Sequence, residues 1–184
     1  MMGYPGAGKG SQSKLLAEEL NFRIYSTGYE FREMAKENTI AGRKVKEVID
    51  AGYLMPHWLA THLFQRAALT LSHGEGIIFE GVARKESEAR LFHTVMEWLE
   101  RPYRVLFLNV SEKVATKRLL KREESEDRAD DAREKIKVRF DEFNKHTAPA
   151  VAYFRTLGVV IDIDSEQAPE EVHKEITGNL KNRD

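Results

Sequence analysis

The sequence predicts an α/β fold: a parallel sheet lying between two layers of helices. Three observations carry this. Short apolar runs alternate with helix-period stretches along the whole chain. Two of those runs, "VLFLNV" and "VVIDI", are continuous rather than alternating, as strands covered on both faces require. A glycine-rich stretch, "GYPGAGKGSQ" at residues 3–12, leads straight into the first helical pattern.

Taken in order, residues 9–20 place Leu16 and Leu20 on one helical side, and "FRIYST" (22–27) is a short strand. Helices follow near 29–38 and 41–51. Pro56 opens a helix in which Leu59, Leu63, Ala67 and Leu71 recur every four residues. "GIIFEG" (76–81) is a strand between glycines, 86–100 is a helix, and "YRVLFLNV" (103–110) is the strongest buried strand. A helix runs to about 122, the charged "EESEDRADD" breaks it, and a long helix covers about 131–156. "GVVIDID" (158–164) is a strand, and Pro169 opens the last helix. There is no internal repeat, and 184 residues suit one domain spanning 1–184.

Composition narrows the function. Without cysteine there is no disulfide frame, Cys-based zinc site or thiol nucleophile. A net charge of -1 carries no nucleic-acid footprint. The apolar runs are far too short to cross a bilayer, and no signal peptide precedes the glycines. The expectation is a soluble cytoplasmic protein, monomeric, with no nucleic-acid or membrane partner. His57, His62, His73, His93, His146 and His173 lack metal-ligand spacing and read as surface or packing residues; Trp58 and Trp98 read as core edges.

A phosphate group presents acceptor oxygens on every side, and backbone N–H groups surround it only where side chains stay away. Glycine allows that approach, and a helix beginning just afterward points its positive end at the same anion. Gly3, Gly8 and Lys9 have the spacing G-x-x-x-x-G-K of the phosphate-binding P-loop, with Gly10 and then the hydroxyl of Ser11 behind them. A dinucleotide-binding G-x-G-x-x-G fails, because position 11 is not glycine.

The stretch also resembles the P-loop of the adenylate kinase family, G-x-P-G-x-G-K-G-T-Q. The likeness continues in order along the chain. "STGYEFRE" (26–33), "AGYLMP" (51–56), "FEGVARKESEA" (79–89), "RLLKRE" (118–123), "RADD" (128–131) and "HTAPAVAYF" (146–154) are each similar to a family segment. The resemblance implies a three-layer P-loop fold and reversible phosphoryl transfer from ATP, with Mg²⁺, to a nucleoside monophosphate. It also implies a monophosphate-binding insert at 26–55 and a short lid at 122–132 with no room for zinc.

Residue by residue, the resemblance implies that Gly6, Ala7, Gly8, Lys9, Gly10 and Ser11, with Arg118, Arg122 and Gln167, bind the donor nucleotide. Thr27, Arg32, Tyr53, Leu54, Met55, Gly81, Arg84 and Glu88 bind the acceptor. Lys9, Arg84, Arg128 and Arg139 act on the transferring group. Two phosphorylated substrates bring together on the order of six negative charges, and arginine's planar fork suits them. No residue is assigned as a protein metal ligand: Mg²⁺ arrives with the nucleotide.

Four departures from the family pattern bear on chemistry. Tyr29 stands where the family has Asp, and Glu80 where it has a shorter Asp, so protein ligation of Mg²⁺ is expected to be weak. Val82 and Ala83 replace Phe-Pro, which is expected to loosen the turn carrying Arg84. Glu88 stands where the family reads adenine with Gln. An ionised Glu only accepts hydrogen bonds, so it disfavours the N1 lone pair of adenine and suits N–H donors such as guanine's; the alternative is that Glu88 points to solvent. Two further alternatives stand at this stage: a nucleotide-binding protein with little turnover, and a P-loop kinase of another small metabolite.

Only Met1 and Met2 precede Gly3, so the strand that should feed the loop is expected to be missing, about five apolar residues at the usual strand length. The chain is then expected to melt below a version extended upstream, and equal melting temperatures would overturn that expectation.

Overall fold

The computed structural model describes residues 1–126 and 133–181. Five strands are parallel in two groups. β1 (Met2–Gly3), β4 (Val105–Asn109) and β5 (Val160–Asp164) form one sheet in the order β1-β4-β5, and β2 (Arg23–Ser26) pairs with β3 (Ile77–Glu80). The Met1 amino group donates to Phe79 O at 2.8 Å, which ties the head of β1 to β3. Parallel neighbours need crossovers, and helices supply them: α1 (Lys9–Leu20), α2 (Thr27–Lys36), α3 (Ile40–Asp50), α4 (His57–Leu69), α5 (Glu86–Trp98), α6 (Glu112–Glu126), α7 (Arg133–Glu142), α8 (Ala148–Thr156) and α9 (Pro169–Lys181).

The unbroken apolar run in β4 has a direct cause. Val105 and Phe107 face a core with Met2, Phe64, Phe92 and Phe154, while Leu106 and Leu108 face another with Leu16, Ile161, Ile163 and Ile176. Successive side chains point to opposite sides of a strand, and here both sides are dry. A third cluster, Phe31, Val45, Met55 and Leu63, lies under α2 and α3. A fourth, Ala115, Leu119, Ile136 and Phe140, joins α6 to α7.

Local signals set the helix starts. Ser26 Oγ accepts from Tyr29 N–H at α2, and Thr39 Oγ1 accepts from Gly42 N–H at α3. These bonds satisfy amides that have no partner within a helix.

The structure corrects three expectations. The first strand is short rather than missing: Met2 pairs with Phe107 and Gly3 with Leu108. Met2 is buried in the core around Phe107, and β4 runs alongside. The long helix is interrupted by a π-helical turn, Phe143–Thr147, where Tyr4 packs on Phe143 at 4.0 Å between centroids and its hydroxyl donates to Asn144 Oδ1. Trp58 and Trp98 are 68% and 75% exposed, so neither is a core edge. The expected lid falls largely on residues 127–132, and both those residues and Arg128 lie outside the described residues. Among the described residues no helix is long and apolar enough to cross a membrane.

Leu108 is fully buried on the strand beside β1. Leu108→Ala is expected to cost about 3 kcal/mol of stability, read as a lower urea midpoint at unchanged slope.

Candidate functional site

The loop between β1 and α1 turns tightly, with Ala7 N–H donating to Tyr4 O at 3.1 Å. Gly6 and Gly8 adopt φ of 80° and 83°, the left-handed region that favours glycine. A Cβ on Gly6 would stand 2.7 Å from Ala115 O, whereas Gly8 faces open space. α1 then begins with no side-chain cap and no acidic residue in its first turn. Its leading amides and the positive end of its dipole are left for an anion.

Lys9 folds back on this loop, its Nζ donating to Gly3 O at 2.8 Å and Tyr4 O at 2.7 Å. Burial pushes its amine down to about 7, and the nearby Arg84 adds to the shift; Glu80 opposes it, while Arg139 and Arg122 reinforce it. A lysine discharged mainly by burial, with further cations beside it, is suited to meet negative charge.

The loop after β5 is bolted to the P-loop. Ser165 Oγ donates to Ala7 O at 2.8 Å, and Gln12 Nε2 donates to Pro169 O at 2.8 Å. Arg118 Nη1 donates to Ser165 O at 2.7 Å, and its Nη2 reaches the carbonyls of Glu166 and Gln167 at 3.5 Å. Gln167 Nε2 donates to Glu175 Oε2 at 3.1 Å.

Across the cavity, the turn carrying Arg84 is tightly fixed rather than loose. Gly81 O accepts from Thr27 Oγ1 at 2.8 Å and from Arg84 Nε at 3.0 Å. Ala83 takes φ of 57°, a left-handed conformation uncommon for a residue with a Cβ and absent from the sequence reading. Glu88 locks the same turn: its Oε2 accepts from Arg84 N–H at 2.9 Å and Lys85 N–H at 3.3 Å. The reading of Glu88 as solvent-facing is overturned, since the residue is 5% exposed and lines the cavity. Burial pushes its carboxyl up, against the pull of the Lys85 and Arg84 amides, the Lys85 ammonium and His57. Its Oε1 lies 4.0 Å from His57 Nδ1.

One cavity of about 1060 Å³ joins these parts. Its wall includes Gly6 to Ser11, Arg118, Arg122 and Gln167 on one side. Thr27, Gly28, Arg32, Tyr53, Leu54, Met55, Gly81, Arg84, Glu88 and Arg139 line the rest. Every expected site residue among the described residues is on this wall. The Glu80 carboxylate faces Gly10, and Tyr29, 56% exposed, offers no carboxylate there. Sequence reasoning missed Glu142, whose Oε2 accepts from Leu54 N–H at 3.0 Å, and Lys85, whose Nζ donates to Met55 O at 2.9 Å. Glu142 was legible in one respect: it follows Arg139 by three positions, on the same helix face.

A helix end left open to anions, facing a second pocket across one continuous cavity, places the chain among P-loop α/β proteins that bind nucleotides. The family model described as adenylate kinase matches residues 1–159. An adenylate kinase from Cyanothece sp. is 35% identical over 177 residues, covering 96% of this chain and 91% of that protein. One from Thermus thermophilus is 32% identical over 180 residues, covering 97% and 94%. An adenylate kinase 1 from Nostoc sp. is likewise 32% identical, covering 97% and 96%. The chain belongs to the adenylate kinase family and is a nucleoside monophosphate kinase.

The Lys9 geometry has a pH consequence. Its amine stands at about 7 in the folded protein against 10.5 ordinarily, so between those values the folded state binds fewer protons than the unfolded chain. This lysine's contribution therefore makes stability rise with pH across that window. An incoming polyphosphate favours the charged amine, so binding takes up a proton. At pH 8, titration with inorganic tripolyphosphate in buffers of different ionisation enthalpy is expected to show more proton uptake in wild type than in Lys9→Ala, the ligand's own titration being common to both.

Proposed function

We propose that the protein transfers the terminal phosphoryl group of ATP reversibly to a nucleoside monophosphate, giving two nucleoside diphosphates, with donor and acceptor held at opposite ends of the one cavity. The observation that carries this reading is that cavity, with the open end of α1 at one side and the 53–55 strip and Glu88 at the other. AMP is the acceptor that the relatives' names indicate.

In this reading a phosphate oxygen of the acceptor attacks the terminal phosphorus in line. The bond from that phosphorus to the bridging oxygen breaks, and the electron pair leaves with the diphosphate. The attacking oxygen is already anionic, so no general base is needed, and positioning and charge stabilisation do the work. The P-loop amides and Lys9 hold the donor's outer phosphates, with Lys9 leaving the carbonyls of Gly3 and Tyr4 as it does so. Arg118, Arg122 and Gln167 bind the rest of the donor. Arg32 and Arg84 hold the acceptor's phosphate, Thr27 and Gly81 border its sugar, and Tyr53, Leu54 and Met55 wrap its base. Arg84, Arg139 and Arg128 neutralise charge on the group in transit.

Mg²⁺ enters as part of the ATP complex. Magnesium in such sites takes one or two carboxylates plus substrate phosphates. Glu80, facing Gly10, and the Ser11 hydroxyl fit that donor set and would hold it, with Tyr29 adding nothing. Held there, the ion would supply neutralisation of phosphate charge. Segment 26–55 acts as the monophosphate-binding insert and 122–132 as a short lid excluding water, in a monomeric cytoplasmic enzyme.

Glu88 sets the base preference. Its Oε2 is taken by two backbone amides, so Oε1 is the atom offered to the base. Ionised, that oxygen favours an N–H edge such as guanine's and opposes the adenine N1 lone pair. The test is a coupled assay of ADP formation with ATP, Mg²⁺ and AMP, GMP, CMP or UMP in turn. Lys9→Ala is expected to lower kcat by at least about a hundredfold. Glu88→Gln is expected to raise the AMP-to-GMP ratio of kcat/KM about tenfold. A strong wild-type preference for AMP overturns the base assignment and leaves the kinase reading standing.

A further inference from the structure

Glu142 is a carboxylate that the proposed transfer does not use, yet it lines the cavity with a side chain only 15% exposed. An acidic group in a space built for phosphates weakens their attraction, so its placement needs another cause. Its Oε2 accepts from Leu54 N–H at 3.0 Å, and its Oε1 lies 3.8 Å from His146 Nε2.

Two further contacts run the same way. Lys135 Nζ donates to Asp50 O, the last residue of α3. Gly52, at φ of 80°, lies so close to α7 that an added Cβ would be 3.3 Å from Arg139 Cγ. Lys135, Arg139 and Glu142 are spaced i, i+4, i+7, one stripe of one helix. That stripe grips residues 50–54 end to end. Within the strip, Gly52 N–H and Tyr53 N–H bond back to Ile49 and Val48 of α3, while Leu54 N–H reaches outward to Glu142.

We propose that Glu142 is a positioning residue of the acceptor site, fixing the strip Tyr53–Met55 against the helix that carries Arg139. The proposal rests on the reading of that strip as the acceptor's base site. The bond sets the distance between the wall that wraps the base and the guanidinium that meets the transferring group. Reach matters more than charge: any side chain of the same length with an acceptor oxygen keeps the strip in place.

The experiment compares Glu142→Ala, Glu142→Asp and Glu142→Gln, using ATP and the nucleoside monophosphate that the wild type accepts best. Asp keeps the charge and loses the reach; Gln keeps the reach and an acceptor oxygen. The Ala and Asp variants are expected to raise KM for the monophosphate about tenfold while KM for ATP stays within about twofold, and Gln is expected to stay near wild type. Amide exchange at Leu54 reads the bond directly: protection is expected in wild type and Gln and lost in Asp. Equal KM values in the Asp variant and wild type, or a Gln variant as impaired as Ala, or a parallel rise in the ATP KM, overturns the proposal. If Ala does not fold, the Asp and Gln variants decide alone. If wild type phosphorylates no monophosphate, the kinase reading fails on that count, and loss of Leu54 protection in Asp but not in Gln still decides whether Glu142 holds the strip.

Discussion

The structure depends on letting an anion touch backbone. The amides at the head of α1 serve that purpose only if nothing caps them and no side chain crowds the loop. Both conditions are met: α1 has no side-chain cap, Gly8 opens to the cavity, and Gly6 passes too close to Ala115 for any Cβ. The short β1 aims the loop, since its pairing with Phe107 and Leu108 fixes where the chain enters the turn. The core on either side of β4 then fixes β1.

From that constraint the electrostatics follow. Lys9, Arg84, Arg122 and Arg139 gather on the wall of one cavity, and of the groups acting on Lys9 Glu80 opposes the shift. Fixed cations repel one another, and the protein tolerates this by giving Lys9 two carbonyls to lean on and by partly discharging it. Charge arranged in advance of the reaction stabilises a developing anion without rearrangement at the moment it forms.

Much of this was legible in the sequence, and for identifiable reasons. α1 spans the residues its pattern predicted, beginning directly after Gly8, which takes a left-handed conformation at the helix start. The two runs 103–110 and 158–164 contain β4 and β5. β4 is apolar from Val105 to Leu108 because both of its faces are buried, whereas β5 alternates, Ile161 and Ile163 inward and Asp162 and Asp164 outward, so the expectation of a strand covered on both faces holds for β4 and not for β5. The series of expected site residues came from the resemblance to the family's segments, and those among the described residues line one cavity. What stayed hidden were long-range polar bonds. Nothing local says that Glu142 meets Leu54, or that Lys85 meets Met55, since those bonds exist only once the chain has folded. The two-residue β1 was hidden too, because a strand that short has no period to read. Glu88 was recognised as unusual, but its bonds to two amides beginning α5 depend on a turn through Ala83 that side-chain preference argues against.

The bolting of the loop after β5 to the P-loop gives the two halves of the cavity different mechanical characters. Ser165, Gln12 and Arg118 brace the P-loop side of the cavity as one jaw. A ligand docking there loses its own tumbling freedom but finds little slack to take up in the receptor. The opposite jaw is held from other elements, its lip by Glu142 at Leu54, Lys135 at Asp50 and Lys85 at Met55. Each jaw is thus braced by bonds from a different part of the chain, the first from the loop after β5 and the second from the head of α5 and from α7.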